Sequence, residues 1–181
     1  MRRPLLVSVL VLAMAATLAA CGSSGGNAAS STTTTWEPAG PNPSISAKMI
    51  CEKEAEDDIA ASLGVKAVSV TTPTWVDHVY SCTYVYPNAR ITLSVKEMST
   101  TPETTAYFDA QAKALGKRSG RVAIGQGAFQ TTIGDAVVRK DWKVLTIDIS
   151  KVPASFGQPP ETAPSVALSI AATILGCWTG A

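Results

Sequence analysis

Two β-type runs, residues 76–86 and 89–98, stand on either side of Pro87-Asn88. A parallel crossover needs a dozen or more residues, so runs this close must pair antiparallel. A two-residue turn at Pro87-Asn88 sets Tyr84 opposite Ile91, Cys82 opposite Leu93 and Tyr80 opposite Val95. Facing residues share a sheet face, so Cys82 belongs with the apolar Ile91, Leu93 and Val95. Pro-Asn does not favour the primed turns of two-residue hairpins, and a one-residue bulge would reverse this facing.

The other segments arrange themselves around that hairpin. Residues 46–63 read as a helix ended by Gly64, with Cys51, Ala55, Ile59 and Leu63 at four-residue steps along one apolar stripe. Residues 67–71 form a further β run. Thr101-Pro102-Glu103 starts a second helix, with a Thr cap, Pro in the first turn and an early acid; it runs to Leu115 and stops at Gly116. A second β set lies near residues 121–124, 128–132, 135–139 and 143–150. Pro159-Pro160 breaks the chain, and residues 164–175 form a last helix, apolar and too short to cross a membrane. The order helix, strands, helix, strands, helix predicts an α+β domain, an antiparallel sheet with helices packed on one face. The two halves echo each other in that order without any sequence repeat.

The stripe that carries Cys51 must cover the sheet face that carries Cys82, so these two are the expected disulfide. The bridge closes a loop of some 30 residues and adds on the order of 3 kcal/mol. Cys177 is then a buried thiol, or the true partner of one of the other two.

The N-terminus carries an address. Arg2 and Arg3 precede an apolar run over residues 4–16, interrupted only by Ser8, which is a secretory signal too short to span a bilayer. Leu18-Ala19-Ala20-Cys21 follows and looks like a bacterial lipobox. In a lipobox the Cys thiol takes a thioether-linked diacylglycerol, and two or more acyl chains (palmitate or similar) anchor stably at about 0.8 kcal/mol per buried CH₂. The alternative is an ordinary cleaved signal with an incidental Cys. The expected division is a signal peptide over 1–20, lipidated Cys21 with a flexible tether over 21–44, and one globular domain over 45–181. Sixteen of the 23 residues from 22 to 44 are Gly, Ser, Thr or Pro, too polar to offset their ordering entropy. Trp36, alone in that stretch, is read as a stray contact with the domain. Loss of residues 1–20 leaves 13 basic and 14 acidic residues. Such a chain offers no polycation for nucleic acid and has no general pull toward anionic lipid, so the anchor must do the tethering to the cell membrane.

Motifs that carry chemistry are mostly missing. Gly125-Gln126-Gly127 begins like a dinucleotide loop but has Gln130 at the third glycine and no helix after it; Gly120 to Gly125 has phosphate-loop spacing, with Gln126 in place of the required Lys. The G-x-S-x-G around Ser24 lies in the tether, without the strand and helix of a nucleophile elbow. His78 is the one imidazole; strand alternation turns it away from Asp77, and it reads as a surface or edge residue. No catalytic, cofactor-binding or metal residue is assigned. Lys113, Lys117, Arg118 and Arg121 cluster at the end of the second helix. They complement the helix dipole on one reading, and on another form a patch for phosphate-bearing envelope polymers. Trp75, Tyr80, Tyr84, Tyr86 and Trp142 are core or rim residues, or else line a ligand groove.

The lipobox at residues 18–21, the Ser/Thr-rich stretch over 22–44, the helix bearing Cys51 and the strand Cys82-Thr83-Tyr84 together resemble the small actinobacterial (mycobacterial-type) lipoproteins of unknown function. Residues 124–128 and the strands 136–139 and 144–149 are similar to the same group. Those families have no agreed activity, so the resemblance implies no catalytic residue. It does imply an exterior, membrane-anchored protein, and the composition of residues 22–44 is similar to O-glycosylated linkers of exported lipoproteins. The leading expectation is a non-enzymatic module that binds an envelope protein or polymer. A carrier of a lipid or other small apolar ligand is the alternative, and a cell-envelope hydrolase comes third.

Overall fold

A computed structural model describes residues 36–118 and 120–178. The signal segment, Cys21 and most of the expected tether lie outside the described residues. The helices are α1 (Ile45–Lys48), α2 (Lys53–Leu63), α3 (Thr101–Leu115) and α4 (Ala163–Cys177). The strands are β1 (Ser69–Val70), β2 (Thr74–Val76), β3 (Val79–Val85), β4 (Arg90–Glu97), β5 (Gly127–Gln130), β6 (Ala136–Lys140) and β7 (Lys143–Lys151), with a small hairpin of β8 (Ser155–Phe156) and β9 (Glu161–Thr162).

The hairpin at Pro87-Asn88 has the register that alternation demands: Tyr84 faces Ile91, Cys82 faces Leu93 and Tyr80 faces Val95. All pairings are antiparallel, and the main sheet runs β1-β3-β4-β7-β6-β5, with β2 also on β3. Two meanders, β2-β3-β4 and β5-β6-β7, each follow a helix and meet at the β4–β7 seam. The echo between the halves is thus one of topology.

The α+β class and the antiparallel sheet are as expected, but the helices divide between the two faces. Cys82, Tyr84, Ile91, Leu93, Val95, Val138, Leu145 and Ile147 belong to the large core that α2 and α4 close with Ile59, Leu63, Val166, Ile170 and Ile174. Met98, Phe129, Val137 and Val144 point the other way and are covered by Tyr107, Phe108 and Ala112 of α3. The reason lies in β6, whose Ala136, Val137 and Val138 are all buried. A strand apolar on both faces needs cover on both.

Four other expectations change. The helix over 46–63 is broken: a 3-10 turn, Met49–Cys51, precedes an extended Glu52 (φ −79°, ψ 161°), and α2 begins after it. The break lets that turn close on the sheet, where the Tyr84 hydroxyl donates to the Ile50 carbonyl at 2.7 Å and Cys51 is bonded to Cys82. The run 76–86 is not one strand: the chain folds at Asp77-His78, so that β2, ending at Val76, pairs back on β3. Residues 121–124 keep only an isolated bridge between Val122 and Ala128. The cap of α3 is Thr100, whose hydroxyl accepts from the Glu103 N–H at 3.2 Å, so Thr101 lies inside the helix.

Residues 36–44, assigned above to the tether, lie against the domain. The Ala39 N–H donates to the Met98 carbonyl at 3.1 Å, Trp75 Nε1 donates to the Pro41 carbonyl at 2.9 Å, and the Ser44 N–H donates to Glu97 Oε1 at 3.2 Å. Polar composition hid this because the partners are backbone carbonyls and one buried carboxylate. No cysteine among the described residues is a free thiol. Among them, too, no helix is long and apolar enough to cross a membrane.

Candidate anion-binding cleft

On the face covered by α3, a cleft of about 500 Å³ opens between the helix and the outer edge of β5. Its lining includes Phe108, Lys117, Arg121 and the loop Gly125-Gln126-Gly127. Local structure explains the loop. Gly125 has φ +61°, and a Cβ there would lie 2.8 Å from the Arg139 carbonyl. The Gln126 N–H donates to that carbonyl at 2.8 Å, and the Gln126 side chain joins Asp141 through two 3.2 Å hydrogen bonds. The loop is therefore clamped to β6 and to the turn that follows it.

Arg139 stands beside the cleft, against its Phe108 and Gln126. It alternates with Val137 along β6, so its side chain emerges on the α3 face beside the cleft. Nη1 donates to Thr105 Oγ1 at 2.6 Å, Nη2 to the Gln126 carbonyl at 3.3 Å, and Cζ lies 5.5 Å from the Phe108 ring centroid. Phe108 is braced edge-on by Phe129 at 5.2 Å. Nε of Arg139 is buried and has no protein hydrogen-bond partner. Among the described residues no carboxylate pairs with the guanidinium; the ion pair there is Lys53–Asp57, on the exposed face of α2. Lys117 and Arg121 add two exposed cations, and no acidic residue among the described ones lines the cleft. A half-buried cation held by neutral acceptors and a ring face keeps much of its desolvation cost unrecovered. An anion entering beside it restores the missing interaction, and a guanidinium receives phosphate or carboxylate through parallel N–H donors.

The predicted basic patch is split by the fold. Lys117 and Arg121 line the cleft; Arg118 lies beside β5, its N–H donating to the Gln130 carbonyl, and Lys113 stays in the last turn of α3. Arg139, Thr105 and Phe108 escaped the sequence reading. The one available signal was a charge placed two residues after Val137 in a strand apolar on both sides. Of the aromatic set, Tyr84 and Tyr86 are core. Burial, aided by the charge of Glu56, pushes the Tyr86 phenol up to about 12. The His78 ring packs edge-on against Trp75 at 5.6 Å, and Trp142 packs edge-on against Trp36 at 5.6 Å. Among the described residues no three His, Cys, Asp or Glu side chains gather as a metal site. Comparison with known proteins finds no matching family model, no matching curated protein and no matching solved structure.

Proposed function

We propose that this chain is a non-enzymatic binding module, held at the extracytoplasmic face of the cell membrane by lipid on Cys21, that takes a phosphate-bearing envelope polymer in the Arg139 cleft. The observation that supports this reading is the guanidinium of Arg139 with its partnerless Nε, beside a cleft lined by Lys117 and Arg121. A repeating anion suits an open cleft with several cations, because each added phosphate meets a further charge. The test is isothermal titration with a glycerol-phosphate polymer. Saturable binding is expected, weakened by added salt and reduced about tenfold or more by Arg139→Gln, the usual scale for hydrogen bonds to a charged group. Lys113→Gln, outside the cleft, should leave it unchanged. Equal binding by Arg139→Gln overturns the assignment, and preference for an acidic peptide turns it toward a protein partner.

One observation favours the carrier reading as a second possibility. A groove of about 310 Å³ between α1, α2 and α4 is lined by Ile45, Met49, Ala55 and Ile174, with Lys48, Glu52, Glu54 and Asp58 at its rim. Native mass spectrometry of the gently purified chain tests this, since a carrier retains mass that organic solvent removes.

A further inference from the structure

A net charge near zero conceals how the charges are placed. Strand register lines up Ser69, Val85, Arg90 and Lys151 across β1, β3, β4 and β7, so the Pro87-Asn88 turn and the exit of β7 share one end of the sheet. The β5–β6 loop lies at that end too, since Ala136 opens β6 opposite Ile147. Lys66, Arg90 and Lys151 are exposed there. Lys117 and Arg118, bridged to Thr131 and bonded to the Gln130 carbonyl at the far corner, add two more exposed cations. The acids of this end are engaged elsewhere. Asp135 is buried, Asp148 accepts from the Ser150 N–H at 2.8 Å, and Glu161 accepts from the Ser169 hydroxyl at 3.1 Å. Asp57, which feels the charge of Lys66, is paired with Lys53. Among the described residues these five cations have no ion-pair partner.

The same end presents apolar side chains to water. Val68, two residues after Lys66, is 71 % exposed although its N–H is fixed to the Val85 carbonyl at 2.8 Å, and Ile133 in the β5–β6 loop is 61 % exposed. Singly exposed apolar residues are ordinary. Two at the corners of one unneutralised cationic end make a different surface. Between them Arg90 and Lys151 flank a hollow of about 320 Å³, lined otherwise by Tyr86, Pro87, Asn88 and Ala89. The opposite end carries the exposed acids Asp77 and Glu103.

We propose that the Arg90–Lys151 end of the sheet docks on an anionic lipid bilayer, with a headgroup phosphate in the hollow and Val68 and Ile133 reaching the acyl boundary. Lys and Arg gain from a negative surface potential only close to it, and apolar side chains beside them add burial. The proposal draws neither on the Arg139 cleft nor on lipid at Cys21. The full chain carrying a nitroxide at Val68→Cys or at Val76→Cys is mixed with phosphatidylglycerol–phosphatidylcholine vesicles or with phosphatidylcholine alone, and collision with a water-soluble nickel complex is measured. Val76, 63 % exposed beside the Asp77-His78 turn, reports on the opposite end. Loss of collision at position 68 on the phosphatidylglycerol vesicles alone, with position 76 unchanged, is the expected result. High salt should restore the collision, as should Lys66→Glu, Arg90→Glu and Lys151→Glu made together, whereas Arg139→Gln should leave the loss in place. Equal collision at both positions, or an equal loss on neutral vesicles, overturns the docking surface. Loss at position 68 with a soluble glycerol-phosphate polymer but none with vesicles overturns the bilayer as the partner.

Discussion

Replacing both Cys51 and Cys82 by Ala removes the bridge that ties the 3-10 turn to β3. The two residues are 31 apart, so the chain-entropy relation gives about 3.7 kcal/mol of stabilisation lost at 25 °C. Cys82 is buried beside Tyr84 and Ile91, and truncation there leaves a small void worth about 1 kcal/mol more. Together these predict a fall in Tm of roughly 10–20 °C. Urea unfolding followed by tryptophan fluorescence reads the effect directly, because Trp178 is 3 % exposed in the fold. The m-value should rise as well, since an uncrosslinked unfolded chain exposes more surface. A loss under about 1 kcal/mol with an unchanged m-value would refute the argument that the bridge acts through the unfolded chain.

Further perturbations probe the turns and the buried acid. Gly64 ends α2 at φ +65°, and a Cβ there would run into the Gln158 carbonyl, so Gly64→Ala should cost more than about 2 kcal/mol in the same urea assay. His78→Gly relieves a left-handed position at the expense of the Trp75 contact, and a net gain of about 0.5–1 kcal/mol is expected by thermal unfolding. Burial raises the Asp135 carboxyl above its ordinary 3.8, against the opposing hydrogen bonds from the Ile149 N–H and the Thr131 hydroxyl. A raised folded pKa favours the protonated native state, so this contribution is full below 3.8 and is lost as pH rises through the folded value. Stability measured against pH should therefore decline over that window in the native chain and not in Asp135→Asn.

What could be read from the sequence follows the range of the interaction involved. The β3–β4 register is local: alternation and a two-residue turn determine it, and the Cys51–Cys82 bridge follows once the face is known. The ends of α3 carry their own signals in Pro102 and Gly116, apart from a one-residue shift of the cap. The β4–β7 seam joins residues some fifty positions apart, and no local pattern distinguishes it from other strand orders. Nor does α3 announce its face, because Tyr107, Phe108 and Ala112 make only a short apolar strip, which acquires meaning against Val137 and Val144. Lys117 and Arg121 were visible as charges. Arg139 becomes part of their site only when β6 pairs with β7 and the Gly125 loop closes beside it.

The central claim is that Arg139 stands ready for an anion. The Nε–H resonance of Arg139, assigned in a nitrogen-15 correlation spectrum through its absence in Arg139→Gln, reports on the one guanidinium nitrogen without a hydrogen-bond partner. Stepwise addition of a glycerol-phosphate polymer is predicted to shift that resonance saturably, together with the backbone amides of Gln126 and Gly127, and to reverse in high salt. A titration that moves the exposed lysines and arginines while the Arg139 Nε–H stays in place would contradict the claim.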